Sequence, residues 1–210
     1  AVMSTMSGIY DVLNMFETVA IFDESIKDIQ PFSVQIVSET REPVDLASGL
    51  PFQTHASIRD IARTDIIIAP AVLFGADGWK KGRYPELVDW ISGQYEKGAM
   101  LCSACSGIFL LAETGLFDGV DSSVHWGLQG AFRTAFPNVP INPEKVLVVS
   151  GSRSELITSG ASNTWHDLVL YIIARHAGAS AAQSVAKLFA LQWHRDGLAH
   201  YMPFTPEREH

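Results

Sequence analysis

The sequence predicts an α/β fold built on a mainly parallel sheet that helices cover on both faces. Strand-type segments alternate with helical segments along most of the 210 residues, an order typical of parallel sheets. Residues 65–69, DIIIA, form a fully apolar run of the kind that is buried on both faces of a sheet. Residues 98–112 pass from a strand-type run to a helical pattern through one tight turn, as in a nucleophile elbow.

The composition indicates one globular domain with a large core, because 47% of the residues are hydrophobic and 18% are charged. The net charge is −8 without a basic cluster, so this domain alone should not bind nucleic acid, whose phosphates require Lys and Arg. Two cysteines provide no disulfide framework, which favours a reducing compartment, and we expect a cytoplasmic protein. We expect no membrane partner, because no segment reaches the roughly 18 apolar residues of a membrane span and no signal peptide is recognised.

The segments before the first buried strand carry the weaker patterns. Apolar residues at helical spacing predict a helix over 8–20, and alternation with β-branched residues predicts a strand over 32–38. Residues 39–50 are expected to form a charged loop or a small hairpin, and 57–63 a short helix. Folds of this class normally open on a central strand, so we expect either a sheet without that strand or a strand located before Ala1.

The segments that follow have clearer boundaries. After the strand at 65–69, a loop is expected over 70–82, and then an amphipathic helix over 84–97 that Gly98 ends. Beyond the elbow, the patterns predict a strand, a helix, a two-stranded hairpin and two helices: 122–126, 127–136, 145–149 with 155–158, 163–176 and 181–191. We therefore expect a domain over 1–191 and an aromatic, irregular tail over 192–210.

Cys105 lies at the tip of the predicted elbow, among small neighbours that a strained turn requires. A helix N-terminus favours thiolate over thiol, so we predict that Cys105 is a nucleophile or a ligand-contacting thiol. The alternative is a small side chain packed at a tight turn. The backbone N–H of Ser106 is expected to donate to an oxyanion or a ligand anion, with Ala71 as a second donor.

The spacing of Cys102 and Cys105 also spells C-x-x-C, a pattern of redox dithiols and of half metal sites. Cys102 falls within the strand run, whereas a redox pair places both sulfurs in the first turn of a helix. A metal site requires another Cys pair or a close His pair, and neither is present. We therefore predict no metal.

His125 is the candidate base or hydrogen-bond partner for the thiol, because an imidazole near pH 7 can accept its proton. A purely structural histidine at the end of a strand is an equal alternative. Asp167 would either orient His125 or stabilise the N-terminus of the helix near Asn163, and we favour the structural role. Trp126 is expected to line a pocket, although large aromatic residues more often belong to the core.

Three segments then carry a family resemblance: ACSG at 104–107, LLAETGLFDG at 110–119 and VHW at 124–126, with His125 placed 20 residues after Cys105. Together they resemble the ThiJ/PfpI group, the cysteine branch of the class I glutamine amidotransferase-like superfamily. More narrowly, they resemble the amino-terminal domain of AraC-type transcriptional regulators, which combines a similar elbow, helix end and strand. Residues 158–161 and 167–168, and the tail at 192–197, resemble further segments of that subgroup.

The resemblance implies a Rossmann-like (flavodoxin-like) three-layer sandwich with Cys105 at the elbow, His125 nearby and a homodimer. In regulators of this type the domain is taken to sense a small molecule, and a pair of helix-turn-helix motifs after it binds DNA. A chain ending at His210 has no room for those motifs, so DNA is expected to be a partner only through a domain absent here. We predict a small-molecule sensor without a cofactor, whose ligand contacts a small set of residues: Ala71, Ser106, Gly107 and Trp126.

Two departures weaken the case for hydrolysis. Enzymes of this group usually carry an acidic residue that contacts the cysteine, and the alignment places Thr5 at that position. The loop after the strand ending at Ala69 is usually Pro-Gly-Gly, and here residues 70–72 are PAV. The alternative function is a stand-alone cysteine-dependent amidase, hydratase or glyoxal-detoxifying enzyme of the same fold. A third hypothesis is a redox sensor in which Cys105 is oxidised to sulfenic acid.

Overall fold

The computed structural model describes residues 1–27, 29–75 and 77–202. Eight strands occur in these residues: β1 (Val37–Ser38), β2 (Val44–Asp45), β3 (Pro51–Phe52), β4 (Ala56–Ser57), β5 (Ile66–Ala69), β6 (Met100–Ala104), β7 (Leu147–Ser150) and β8 (Leu156–Ser159). Seven α-helices accompany them: α1 (Met3–Asn14), α2 (Phe16–Phe22), α3 (Pro85–Glu96), α4 (Ile108–Ala112), α5 (Gln129–Ala135), α6 (Trp165–Ala177) and α7 (Ala179–Phe189).

The central sheet has four strands in the order β5-β6-β8-β7. β5, β6 and β8 run parallel, and β7 runs antiparallel to β8. The mainly parallel α/β sheet expected from the sequence is confirmed, as is the hairpin. The antiparallel pair follows from the short connection, because parallel neighbours require a crossover of a dozen or more residues.

All five residues of β6 are buried, and they alternate between the two faces of the sheet. Met100, Cys102 and Ala104 join a core cluster with the buried residues of α1, α2, α6 and α7. Leu101 joins a second cluster with those of α3, α4 and α5. Because β6 is buried on both faces, its C-terminal end holds the following turn firmly in place.

The helix predicted over 8–20 is instead two helices, and the first begins earlier, at Met3. The break falls at Met15, which has φ −96° and ψ 23°. Next to it, the Asn14 side chain donates a hydrogen bond to the Tyr10 carbonyl at 2.8 Å. Such local bonds from Asn compete with continued helix, which the apolar spacing alone does not reveal.

Two other predicted elements of the first half are much shorter than expected. The strand over 32–38 is reduced to β1, which pairs in parallel with β4. Just before β1, the Ile36 N–H donates to His55 Nδ1 at 3.0 Å rather than to a neighbouring strand. The helix over 57–63 is a 3₁₀ turn, Ile58–Asp60, closed by hydrogen bonds from Ser57 to the Asp60 carboxylate. The small hairpin near 39–50 is present as β2 and β3, shifted slightly along the chain.

The strand predicted over 122–126 is wrong. Ser122 forms an isolated parallel bridge with Ile141, and the Ser123 N–H donates to the side-chain oxygen of Thr158 at 2.6 Å. Because the side chain of Thr158 accepts this bond in place of a backbone carbonyl, the segment lies beside β8 without extending the sheet. It ends in a 3₁₀ turn, Trp126–Leu128, which delays the start of α5.

The start of the chain lies beside the loop that follows β5, where the Val2 N–H donates to the Ala71 carbonyl at 2.7 Å. Among the described residues, β5 pairs with β6 alone, and no strand precedes α1. No helix within the described residues is long and apolar enough to cross a membrane.

Candidate functional site

Cys105 is the first residue of a tight 3₁₀ turn, Cys105–Gly107, between β6 and α4. Its φ of +52° is in the left-handed region, which residues other than glycine adopt at a cost of about 1–3 kcal/mol. The elbow predicted from the sequence is therefore confirmed in its backbone geometry. The buried strand before the turn and the buried helix after it hold this strained conformation.

Gly107 allows the elbow to pack onto the end of β5. A Cβ at this position would lie 2.2 Å from the Ala69 carbonyl oxygen, so no larger residue fits. Ser106 reinforces the contact, since its hydroxyl donates to the Val72 carbonyl at 2.6 Å and accepts from the Val72 N–H at 3.0 Å. The sequence suggested only a backbone role for Ser106, because nothing in the local pattern indicates that its side chain meets the loop after β5.

The thiol of Cys105 is almost completely buried, and its side-chain partner is Ser162. The Sγ–Oγ distance is 3.9 Å, the range of a weak sulfur hydrogen bond. Burial raises the pKa of the Cys105 thiol, and hydrogen bonds from Ser162 and Ser106 oppose this only partly. The structure thus differs from the expected thiolate-favouring turn. Desolvation is the largest cause of the raised pKa, and α4 has only five residues to supply an opposing helix dipole.

His125 lies at the start of the Trp126–Leu128 turn, where its Nδ1 accepts a hydrogen bond from the Gly127 N–H at 3.0 Å. In the neutral ring, Nε2 therefore carries the hydrogen. Burial lowers the pKa of His125, and its ring lies 5.0 Å from the half-buried ring of Trp126. Among the described residues no hydrogen bond joins the imidazole to Cys105 Sγ, so the role of His125 as a base stays a prediction.

The backbone N–H of Ala71 already forms a hydrogen bond within the protein. Its N–H donates to Thr5 Oγ1 at 3.3 Å, and the same hydroxyl donates to the Val2 carbonyl at 2.9 Å. An anion held by Ala71 would have to compete with Thr5, which is fully buried. Thr5 brings a neutral hydroxyl to this position, as the alignment indicated, and it supplies no carboxylate to the thiol.

Asp167 serves the tail rather than His125. Its carboxylate accepts from the His194 N–H at 2.9 Å and contacts His194 Nδ1 at 2.7 Å. Asp167 lies in the first turn of α6, as expected, but its carboxylate binds His194 instead of capping the helix. One isolated histidine in an irregular tail carries no sequence signal. Trp165 packs over Gly8 in the core, whereas Trp193 is exposed on the tail.

Two clefts stand out on the described surface, and Cys105 lines neither. The larger, about 610 Å³, lies between the start of β7 and the tail and includes Asp167, Trp193 and His194 in its wall. The smaller, about 240 Å³, lies beside Glu113. Within the described ranges no cluster of His, Cys, Asp and Glu is suited to hold a metal ion.

Comparison with known proteins identifies a family to which the chain belongs and curated relatives that are regulators. The DJ-1/PfpI family model matches residues 6–175. The chain is 30% identical over 143 residues to the HTH-type transcriptional regulator GbdR of Pseudomonas aeruginosa, covering 68% of this chain and 37% of the regulator. It is 28% identical over 158 residues to the HTH-type transcriptional regulator CdhR of the same species, covering 74% and 44%. The chain therefore spans less than half the length of these curated relatives.

Solved structures have the same fold. A putative transcriptional regulator from Vibrio parahaemolyticus superposes with a TM-score of 0.70 at 22% identity, covering 88% of this chain and 92% of that one. An AraC family transcriptional regulator from Pseudomonas putida gives 0.69 at 19% identity, covering 90% and 93%. Drosophila melanogaster DJ-1beta gives 0.61 at 21% identity, covering 73% and 79%. With the family model matching most of its length, the chain belongs to the DJ-1/PfpI family, as its elbow sequence suggested, and its curated relatives include HTH-type transcriptional regulators.

Proposed function

We propose that this chain is the ligand-sensing domain of an AraC-type transcriptional regulator. The observation that carries the proposal is the unequal coverage of the curated relatives. The matched region takes up 68% of this chain but only 37% of the regulator at 30% identity. A regulator named for its helix-turn-helix thus has ample length outside the matched region for a DNA-binding part. The net charge of −8 in this chain fits a domain that leaves DNA contact to another part.

The chemistry of the elbow supports sensing over turnover. A cysteine nucleophile requires a thiolate, and the pKa of Cys105 is raised rather than lowered. A nucleophile–base pair also requires a hydrogen bond between the two, whereas His125 Nδ1 is used by the Gly127 N–H. Thr5 offers no charge to orient either group. These features disfavour a stand-alone amidase, hydratase or glyoxal-detoxifying enzyme.

The same groups form a suitable contact surface for a small polar molecule. Cys105 Sγ and Ser162 Oγ lie side by side and provide weak donors and acceptors. We expect Ser106, Gly107 and Trp126 to complete the contact. No metal or cofactor is required for such binding.

We further propose that the regulator acts in the cytoplasm and assembles as a homodimer. The curated relatives come from a bacterium, whose DNA lies in the cytoplasm, so a regulator of the same class would act there. The homodimer implied by the family resemblance would be measured directly, by light scattering of the purified chain at several concentrations.

A thermal-shift screen of small metabolites on the 210-residue chain tests the sensor proposal. A ligand at 100 times its Kd adds about 2.7 kcal/mol of stability, which raises Tm by about 5–10 °C for a domain of this size. We expect Cys105→Ala or Ser162→Ala to abolish the shift and Ser152→Ala, an exposed serine elsewhere, to keep it. Turnover of small amides or dicarbonyls that Cys105→Ala removes would instead favour the enzyme.

A further inference from the structure

One loop, residues 160–164, lies between the elbow and the tail. On the elbow side, Ser162 Oγ is 3.9 Å from Cys105 Sγ. Ser162 itself is exposed, so a molecule approaching the buried thiol would meet this residue first. A group added to the thiol on this side would therefore displace the Ser162 side chain.

On the tail side, the loop packs against Leu198. A Cβ at Gly160 would lie 3.0 Å from the Leu198 side chain and 2.4 Å from Ser123 Oγ, so the backbone of residue 160 directly supports both. Leu198 is 2% exposed, and its N–H donates to the Glu144 carbonyl at 2.8 Å. Leu198 therefore attaches the tail to the segment just before β7.

The second attachment of the tail also begins at this loop. Thr164 immediately precedes α6, and Asp167 in the first turn of that helix accepts both hydrogen bonds from His194. Asp167 is 3% exposed, so solvent does not readily replace these bonds. Both attachments of the tail are therefore within a few residues of the loop that touches the thiol.

The loop is braced by internal hydrogen bonds. The Thr164 hydroxyl accepts from the Ala161 N–H and donates to the Ala161 carbonyl, both at 2.8 Å. The Gly160 N–H donates to the Val146 carbonyl at 3.0 Å, next to the cleft that the tail borders. A braced loop transmits a displacement instead of absorbing it in its own backbone.

We propose that the loop of residues 160–164 couples the Cys105 site to the tail, so that occupation of the site moves Ser162 and loosens the contacts of His194 and Leu198. Its use in regulation rests on the proposed function, because the tail is the segment that would lead to a DNA-binding part. The coupling itself is a property of this chain and is measurable without DNA or a natural ligand. It requires that occupied and empty forms differ in the free energy of the tail contacts.

Hydrogen exchange of the full 210-residue chain tests the coupling, with iodoacetamide as the probe. The Cys105 sulfur displaces iodide, a C–S bond forms, and the thiol proton passes to solvent, which leaves a carbamidomethyl group facing Ser162. We expect exchange of the His194 and Leu198 amides to become at least fivefold faster, the lower end of common allosteric couplings. Amides of α3 should not change.

A second perturbation does not depend on thiol reactivity. Ser162→Leu places bulk in the same gap from an exposed position and should accelerate the same two amides, whereas Ser152→Leu, on an exposed serine of the β7–β8 connection, should not. Cys105→Ser treated with iodoacetamide controls for reaction elsewhere, and Asp167→Ala shows the exchange of a released tail.

The proposal is overturned if both perturbations leave the His194 and Leu198 amides unchanged, or if all amides accelerate equally, which indicates global destabilisation. Failure of the metabolite screen would count against the sensor function and leave the exchange result intact. Conversely, a ligand that binds at Cys105 without affecting the tail would support sensing and exclude this route.

Discussion

The backbone of Gly107 rests against the carbonyl oxygen of Ala69, so closely that a methyl group at residue 107 would lie 2.2 Å from that oxygen. This contact joins the elbow to the end of the neighbouring strand. Because the obstructing atoms belong to the backbone, no rotation of a side chain can relieve the clash.

Gly107→Ala should therefore lower the free energy of unfolding by about 3 kcal/mol, as overpacking in a rigid core does. Urea unfolding followed by tryptophan fluorescence measures the loss. The matched control is Gly130→Ala in α5, where a Cβ would meet nothing within 4 Å, and where alanine should stabilise the helix by about 0.5–1 kcal/mol. Equal stability of the two variants would contradict the packing described for the elbow.

Alkylation of Cys105 should be slow at neutral pH and accelerate as the pH rises past the ordinary thiol range. The cause is the raised pKa of the buried thiol, since only the thiolate attacks iodoacetamide. Mass spectrometry of timed samples between pH 6 and 10 gives the rate profile, with Cys105→Ser as the blank for Cys102. A midpoint of the rate profile below the pKa of free cysteine would contradict this and would show that the helix N-terminus lowers the pKa of Cys105 more than burial raises it.

The raised pKa of the thiol also has a consequence for stability. The folded state favours the protonated thiol, and this preference contributes to the free energy of unfolding. The contribution is complete below the pKa of the thiol in the unfolded chain and is lost as pH rises through the pKa in the folded chain. Relative to Cys105→Ser, the wild-type chain should lose stability between about pH 8.5 and the folded pKa. Urea unfolding of both chains at pH 7 and pH 10 measures the difference, and a constant difference would contradict it.

Asp167→Asn should lower the free energy of unfolding by about 1–3 kcal/mol, because the His194 contacts lose a buried, charged acceptor. Limited proteolysis should cut the tail before the rest of the chain. Asp65→Asn removes the exposed partner of Arg63 and should change stability by less than about 0.5 kcal/mol. If both variants behave alike, Asp167 does not hold the tail.

Glu113→Ala should release the loop between β5 and α3. The Glu113 carboxylate accepts from Trp79 Nε1 and from the Gly82 N–H, each at 2.7 Å. Two charge-assisted hydrogen bonds are lost together, so we expect faster exchange at Gly82 and a red-shifted Trp79 emission. Glu96→Ala, at an exposed position on α3, should change neither signal.

The sequence predicted best the elements whose burial follows from the apolar pattern of their own residues. β6 is an apolar run that is buried throughout, and the apolar positions of α3 pack against the second core cluster, as their patterns predicted. The expectation that β5 is buried on both faces was wrong, because β5 lies at the edge of the sheet and its three isoleucines are only half-buried. Elements that depend on distant partners were predicted poorly. The stretch at 32–38 alternates like a strand, yet the Ile36 N–H is taken by the His55 ring, and alternation contains no information about that contact.

The same distinction applies to the site. The positive φ of Cys105 follows from a local pattern of small residues around a strand–helix junction. The Ser162 contact joins residues 57 positions apart, and the Asp167–His194 pair joins residues 27 apart. Neither pairing has a signature in the spacing of the residues, because the fold alone brings them together.

The edge position of β5 affects how the isolated chain should behave at high concentration. Among the described strands β5 pairs with β6 alone, so its outer edge has no strand partner, although the Ile66 carbonyl accepts from Thr64 Oγ1. Three consecutive isoleucines make this strand a favourable template for another β-segment. Charged or proline residues that commonly discourage such pairing are absent from the strand itself. Self-association of this domain would therefore begin by strand addition along β5, and a lysine introduced there would be the direct means of improving its solubility.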